Sequence, residues 1–123
     1  MLRSYPDVGA VVARFLPWPE HDNGLGFLNG GIISTVLDCH SAAAVMLEAE
    51  GLGVTPLPGA ALSYVTASLD VRYLRPSPLH EASDLTAVVT SADDNEMTVQ
   101  IELVHGGTTR AVATAVWKRW RPR

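Results

Sequence analysis

Gly26-Phe27-Leu28-Asn29-Gly30-Gly31-Ile32-Ile33-Ser34-Thr35-Val36-Leu37-Asp38 decides how this chain of 123 residues is read. The stretch starts as a loop, turns through two glycines and enters the one long helix the sequence can make. That helix is predicted from about Gly30 to Glu50, where Gly51 and Gly53 stop it. At roughly 100° per residue, Ser34, Asp38, Ser41 and Glu48 share a narrow polar stripe, with Thr35 at its margin. Ile32, Ile33, Val36, Leu37, Ala43, Ala44, Met46 and Leu47 cover most of the remainder. A helix apolar around so much of its circumference must be enclosed by other structure. His40 falls nearly opposite Asp38, so Asp38-Cys39-His40 is not a catalytic dyad on one helix.

Two features of the stretch suit a reaction site. Gly30 and Gly31 let a ligand approach the helix start, where backbone N–H groups lack partners and the helix dipole is positive. Two turns on, Asp38 sets a carboxylate among apolar neighbours. The plain structural readings are a tight turn and a polar-stripe residue.

Upstream, Met1 to Asp7 is a polar lead-in and Val8 to Leu16 reads as a strand, ended by Pro17 and Pro19. Turn formers His21, Asp22, Asn23, Gly24 and Gly26 make Glu20 to Leu28 a loop. Downstream, a Pro/Gly-rich loop from Leu52 to Ala60 precedes strand patterns of period two. Val65, Ala67, Leu69, Val71 and Tyr73 alternate with Thr66, Ser68, Asp70 and Arg72, and Pro76 and Pro78 close that strand. Leu85, Ala87 and Val89 alternate with Asp84 and Thr86; Met97, Val99, Ile101 and Leu103 alternate with Thr98, Gln100 and Glu102. Asp93 to Glu96 and Gly106-Gly107 are turns, so His105-Gly106-Gly107 opens a hairpin rather than a helix. Ala111 to Trp120 is the last strand, with small alanines at 111, 113 and 115 that let a sheet lie close to the helix. The order predicts an α+β domain: one long central helix wrapped by a five-stranded, mainly antiparallel sheet. Its open edges invite pairing with a second copy.

Bulk properties narrow the function. The length fits one domain over residues 1–123, with 47% apolar and 18% charged residues and no repeat or low-complexity tract. A net charge of −4 argues against nucleic acid as a partner. The single cysteine, Cys39, excludes an internal disulfide and a multi-cysteine zinc site, and it fits a reducing, cytoplasmic setting. No secretory pattern opens the sequence, and the apolar run near Ala42 to Leu47 is too short for a bilayer, so no membrane partner is expected.

The run Asn23-x-x-Gly26-x-x-Asn29-Gly30-Gly31 with Asp38 following resembles the signature of hotdog-fold thioesterases of the phenylacetate-pathway (PaaI-like) type. Asp70-Val71-Arg72-Tyr73-Leu74-Arg75-Pro76 resembles the second strand of that family. The resemblance covers nearly the whole chain and implies an acyl-CoA thioesterase working as a dimer or tetramer, with coenzyme A as part of the substrate and no separate cofactor or metal. It implies that Asp38 is the nucleophile or general base and that the Gly31 N–H polarises the thioester carbonyl. Asn23 would help hold the carbonyl or the water, and Thr66 would orient the water. Asn29 and Gly30 would shape the substrate-binding loop. Arg75 is a positive spot suited to the phosphates of coenzyme A. Asn23 as a loop former and Thr66 as an ordinary strand threonine are the plain alternatives.

This chain departs from the family at Asn29, where relatives usually carry histidine. An amide keeps hydrogen bonding but cannot titrate near neutral pH. That difference is the best support for one alternative, a non-catalytic acyl-CoA or acyl-carrier binding protein. A hotdog hydratase or dehydratase is another alternative, and the placement of His40 away from Asp38 counts against it. Seven residues separate Gly31 from Asp38, about 10 Å of helix rise. A single chain is therefore not expected to use both on one carbonyl, and the expectation is a site shared between two subunits. His40 and Cys39 read as packing residues and His21 and His80 as loop residues. Trp117 and Trp120 read as anchors of the last strand, and Lys118, Arg119, Arg121 and Arg123 as a solvated terminus.

Overall fold

The structure, a computed structural model, describes residues 4–7, 9–54, 58–59 and 63–121, with the backbone alone for 4–7. Strands β1 (Ser4–Asp7) and β2 (Ala10–Phe15) lead through a short 3-10 turn at Pro19–His21 to helix α1 (Gly30–Gly51). Strands β3 (Tyr64–Tyr73), β4 (Ser83–Ala92), β5 (Glu96–His105) and β6 (Thr108–Arg119) follow. All pair antiparallel in one sheet of order β1-β2-β4-β5-β6-β3, and α1 lies against its inner face.

The expected α+β plan of one helix wrapped by five strands is present, with a short sixth strand added at one edge. Ser4–Asp7 was expected to be a polar lead-in; its backbone instead pairs with β2 beyond a turn at Gly9, whose φ of 68° is a left-handed value. The lead-in over residues 1–3, Val8, residues 55–57 and 60 of the Leu52–Ala60 loop, and Arg123 lie outside the described residues.

The period-two pattern becomes the inner face. Met97, Val99, Ile101 and Leu103 from β5 are buried under α1, as are Leu85 and Ala87 from β4. Ala111, Ala113 and Ala115 are buried too, and their small side chains bring β6 close to the helix. From α1, Ile33, Val36, Leu37, Ala44 and Val45 complete this core. Length and composition alone would let α1 cross a bilayer, with a mean hydropathy of 1.4; in the fold it is the core helix of the sheet. Gly106 and Gly107, at φ 60° and 73°, form the β5–β6 hairpin turn, so His105 opens no helix.

His40 is fully buried, and its Nε2–H donates to the Val11 carbonyl at 2.7 Å, tying α1 to β2. Burial holds its imidazole below the ordinary 6.5, against the opposing pull of that carbonyl. The unfolded chain therefore takes up the proton first as pH falls. The His40 contribution to stability is fully present above the unfolded value and is lost as pH drops below it toward the lower folded one. His40→Gln keeps a donor for Val11 and cannot titrate. It should shrink the difference in urea midpoint between about pH 7.5 and about pH 5.5. An unchanged difference would assign the acid loss to other groups.

Candidate active site

Helix α1 begins at Asn29, the N-cap. Its side-chain Oδ1 accepts the Gly31 N–H at 2.8 Å, and its carbonyl accepts the Ile33 N–H at 3.1 Å. The residue that departs from the family pattern thus has a structural task that an amide performs well. It also engages the donor expected to polarise a substrate carbonyl. A Cβ at Gly31 would stand 3.2 Å from that Oδ1, so glycine keeps the cap unstrained. The N–H of Gly30, beside it, has no hydrogen-bond partner among the described residues.

Asp38 is half-buried, about two turns along, and its Oδ1 accepts the Thr66 hydroxyl at 2.9 Å. The alternation of β3 puts Thr66 in the same register as Ser68 and Asp70, which would point it away from the helix. A β-bulge between Thr66 and Ser68 breaks that register. Thr66 pairs with Trp117 and Leu69 with Ala115, both buried, whereas Ser68 pairs with Val116. Thr66 therefore shares the helix-facing side, and the bulge is what brings it to Asp38.

The polar stripe of α1 lies along the flank toward β3 and β6. Ser34 Oγ meets the Tyr73 hydroxyl at 2.6 Å, Asp38 meets Thr66, and Ser41 Oγ accepts Trp117 Nε1–H at 3.0 Å. Trp117 anchors the last strand, as expected, while Trp120 is half exposed. Strand β3 runs antiparallel to α1: Thr66 stands beside Asp38, and Tyr73 stands beside Gly30 and Ser34 at the helix tip.

Asn23 sits in the loop before α1, and its Oδ1 accepts the N–H groups of Leu25 and Phe27 at 2.8 and 3.3 Å. Its carboxamide oxygen folds the loop, which is the plain alternative for this residue. Arg75 is exposed in the turn after β3, at the same end of the molecule as the helix tip. The terminal cations are tied to the β4–β5 turn: Lys118 lies 4.0 Å from Glu96, and Arg121 donates to Asn95 Oδ1 at 2.6 Å.

On the opposite flank of α1 a cavity of about 450 Å³ opens between Ile32, Val36 and Cys39 on the helix and Phe15, Trp18 and His21 before it. The His21 ring stacks on both Phe15 and Trp18, with centroids 5.8 and 5.9 Å apart. Cys39 is an exposed free thiol on this cavity rather than the expected packing residue, and His21 is part of its aromatic wall. The pattern of Pro17, Trp18 and Pro19 between strand and loop gave no periodicity from which to find this wall.

Residues 25–112 match the family model described as the thioesterase superfamily, most of the chain, including Asn29, Gly30, Gly31, Asp38 and Thr66 but not Asn23. The chain belongs to the thioesterase superfamily. Membership carries the enzyme class, thioester hydrolase. Over 105 residues the chain is 26% identical to human acyl-coenzyme A thioesterase 13, covering 85% of this chain and 68% of that protein. The solved thioesterase superfamily protein of Shewanella loihica PV-4 is similar at 27% identity, with a TM-score of 0.79 over 98% of this chain and 91% of the other. A phenylacetic acid degradation-related protein of Ralstonia eutropha JMP134 is similar at 25% identity and a TM-score of 0.76, over 96% and 83% of the two chains. The hotdog thioesterase resemblance read from the glycine turn and Asp38 is thus the family of the chain.

Proposed function

We propose that this protein hydrolyses acyl-CoA thioesters to a free acid and coenzyme A at a site shared by two subunits. The observation that carries this reading is Asp38: a half-buried carboxylate on the helix flank, aimed by the Thr66 hydroxyl. Thioester hydrolysis needs such a group to attack the carbonyl carbon or to take a proton from the attacking water, with the thiolate of coenzyme A leaving. It also needs donors for the negative charge that builds on the carbonyl oxygen. The N–H groups of Gly30 and Gly31 suit that task, with the Asn29 amide rotating off Gly31 as substrate arrives.

Geometry supports the reading that a second subunit completes the site. Asp38 and Gly31 of one chain are about 10 Å apart along the helix. Strand β3 is a sheet edge, with Val65 48% and Tyr73 54% exposed. An edge of this kind favours self-pairing. Antiparallel pairing of β3 with its own copy sets the Thr66 end of one strand against the Tyr73 end of the other. Because β3 runs antiparallel to α1, this carries Asp38 of one protomer toward the helix tip of its partner. The cavity at Ile32, one residue from Gly31, gives the acyl group an apolar receptacle, and the exposed Arg75 suits a phosphate of coenzyme A. A reducing, cytoplasmic setting suits the exposed thiol of Cys39.

Free-thiol release from a panel of acyl-CoA thioesters tests the reading. The expected result is turnover of at least one acyl-CoA well above the uncatalysed rate. Saturable binding with no thiol release would favour the non-catalytic acyl-CoA binding protein, for which Asn29 argues. Water addition to an enoyl-CoA in place of thiol release would favour a hydratase.

A further inference from the structure

We propose that Tyr73, with Ser34, is a positioning residue that fixes the Gly30–Gly31 peptide for carbonyl polarisation, an inference that rests on the hydrolase reading. The Tyr73 hydroxyl donates to the Gly30 carbonyl at 2.9 Å. Its one proton is spent there, so the 2.6 Å contact with Ser34 Oγ has Ser34 as donor. The Gly30 carbonyl and the Gly31 N–H belong to one planar trans peptide and point in opposite directions. Holding the oxygen therefore holds the direction of the N–H. A donor on the oxygen also polarises the same amide, and the chain Ser34, Tyr73, Gly30 carbonyl, Gly31 N–H strengthens along its length.

A glycine-flanked helix start is otherwise the least restrained part of the helix, since glycine adds conformational freedom and helix ends fray. The Tyr73 ring offsets that freedom. It stands 3.5 Å from where a Cβ on Gly30 would be, in ordinary contact, and so closes over the glycine. An edge-strand tyrosine that is 54% exposed would gain little from burial alone. Its two hydrogen bonds to the first turn of α1 are what give it a fixed place. The turn after it is held in the same way: Leu74 and Arg75 donate their N–H groups to the Arg110 carbonyl at 2.8 and 3.1 Å. The end of β3 is thus tied to the helix tip on one side and to β6 on the other.

Tyr73→Phe keeps the ring against Gly30 and removes only the hydroxyl. It should lower kcat for the best acyl-CoA about tenfold, the rate equivalent of one net hydrogen bond, with KM held within about twofold. Ser34→Ala, which weakens the chain one bond further out, should give a smaller loss in the same direction. Hydrogen exchange supplies a readout independent of turnover. The Gly31 amide should exchange about tenfold faster in Tyr73→Phe, while amides in β5 stay as in the parent protein. A kcat equal to the parent, in a protein that Asp38→Asn inactivates, would overturn the positioning role while leaving the hydrolase reading intact. A rise in KM at constant kcat would make Tyr73 a substrate contact and would equally overturn it. A parent chain that releases no thiol from any acyl-CoA would sink the hydrolase reading and the catalytic purpose of the clamp; unchanged Gly31 exchange in Tyr73→Phe would then remove the clamp as well.

Discussion

Asp38→Asn should lower kcat for acyl-CoA hydrolysis by about a thousandfold, with little change in thermal midpoint. The carboxamide is the same shape as the carboxylate, and its oxygen can still accept the Thr66 hydroxyl that Asp38 Oδ1 accepts at 2.9 Å. What it loses is the lone-pair basicity of the anion, whether that is used on the thioester carbon or on a water. General-base or nucleophilic assistance of this kind contributes about 10² to 10⁴ in rate, the span of some 3 to 5 kcal/mol in barrier. Stability should not follow the rate, because Asp38 makes no ion pair among the described residues and is only half-buried. The measurement is thiol release at saturating acyl-CoA beside a thermal melt of the same preparation. A variant within tenfold of the parent in kcat would remove Asp38 from the reaction and leave the superfamily fold without its assigned acid.

How far the site could be read from the residues differs from one side chain to the next. Local periodicity carries α1 and the four long strands, because each has one face that must be buried. Ala111, Ala113 and Ala115 announce close helix packing by their size, and all three are buried. The glycine turn and Asp38 are local too, so their place at the helix tip and on its flank was legible. Thr66 was not. Its parity with Ser68 and Asp70 points outward, and only the bulge, a property of β3 paired on β6, turns it to Asp38. Strand Ser4–Asp7 was hidden for a related reason, since an edge strand with one neighbour needs no apolar alternation. Asn23 and Asn29 carry the same side chain six residues apart, and composition cannot separate them. The first folds its own loop and the second caps the helix, a division set by where the first helical N–H groups point. The Tyr73 clamp joins residues that lie 39 and 43 positions apart, beyond any local pattern.

Two inactive chains should restore activity when mixed. The partner for Asp38→Asn is Asn29→Asp. Aspartate caps a helix as well as asparagine, and the helix dipole favours its charge, so the protein should fold with an undiminished melting temperature. Its carboxylate, however, would stay on the Gly31 N–H that Asn29 now engages at 2.8 Å, and would oppose negative charge on a thioester oxygen. Loss of one such donor costs about 10² to 10³ in kcat. Each homodimer then has two dead sites. In a mixed dimer with shared sites, one site carries both defects, and the other joins an intact helix tip to an intact Asp38. Unfolding the two variants together and refolding at equal concentration makes half of the dimers mixed. Recovery should therefore reach about a quarter of the parental specific activity, against about one per cent or less for either variant alone. If Gly31 and Asp38 of one chain served the same substrate, every site in the mixture would keep one defect and no recovery would occur. The difference between a quarter and nothing is a direct count of how many chains build one site. It depends only on β3 presenting its open edge to a second copy so that the acid on one helix meets the tip of the other.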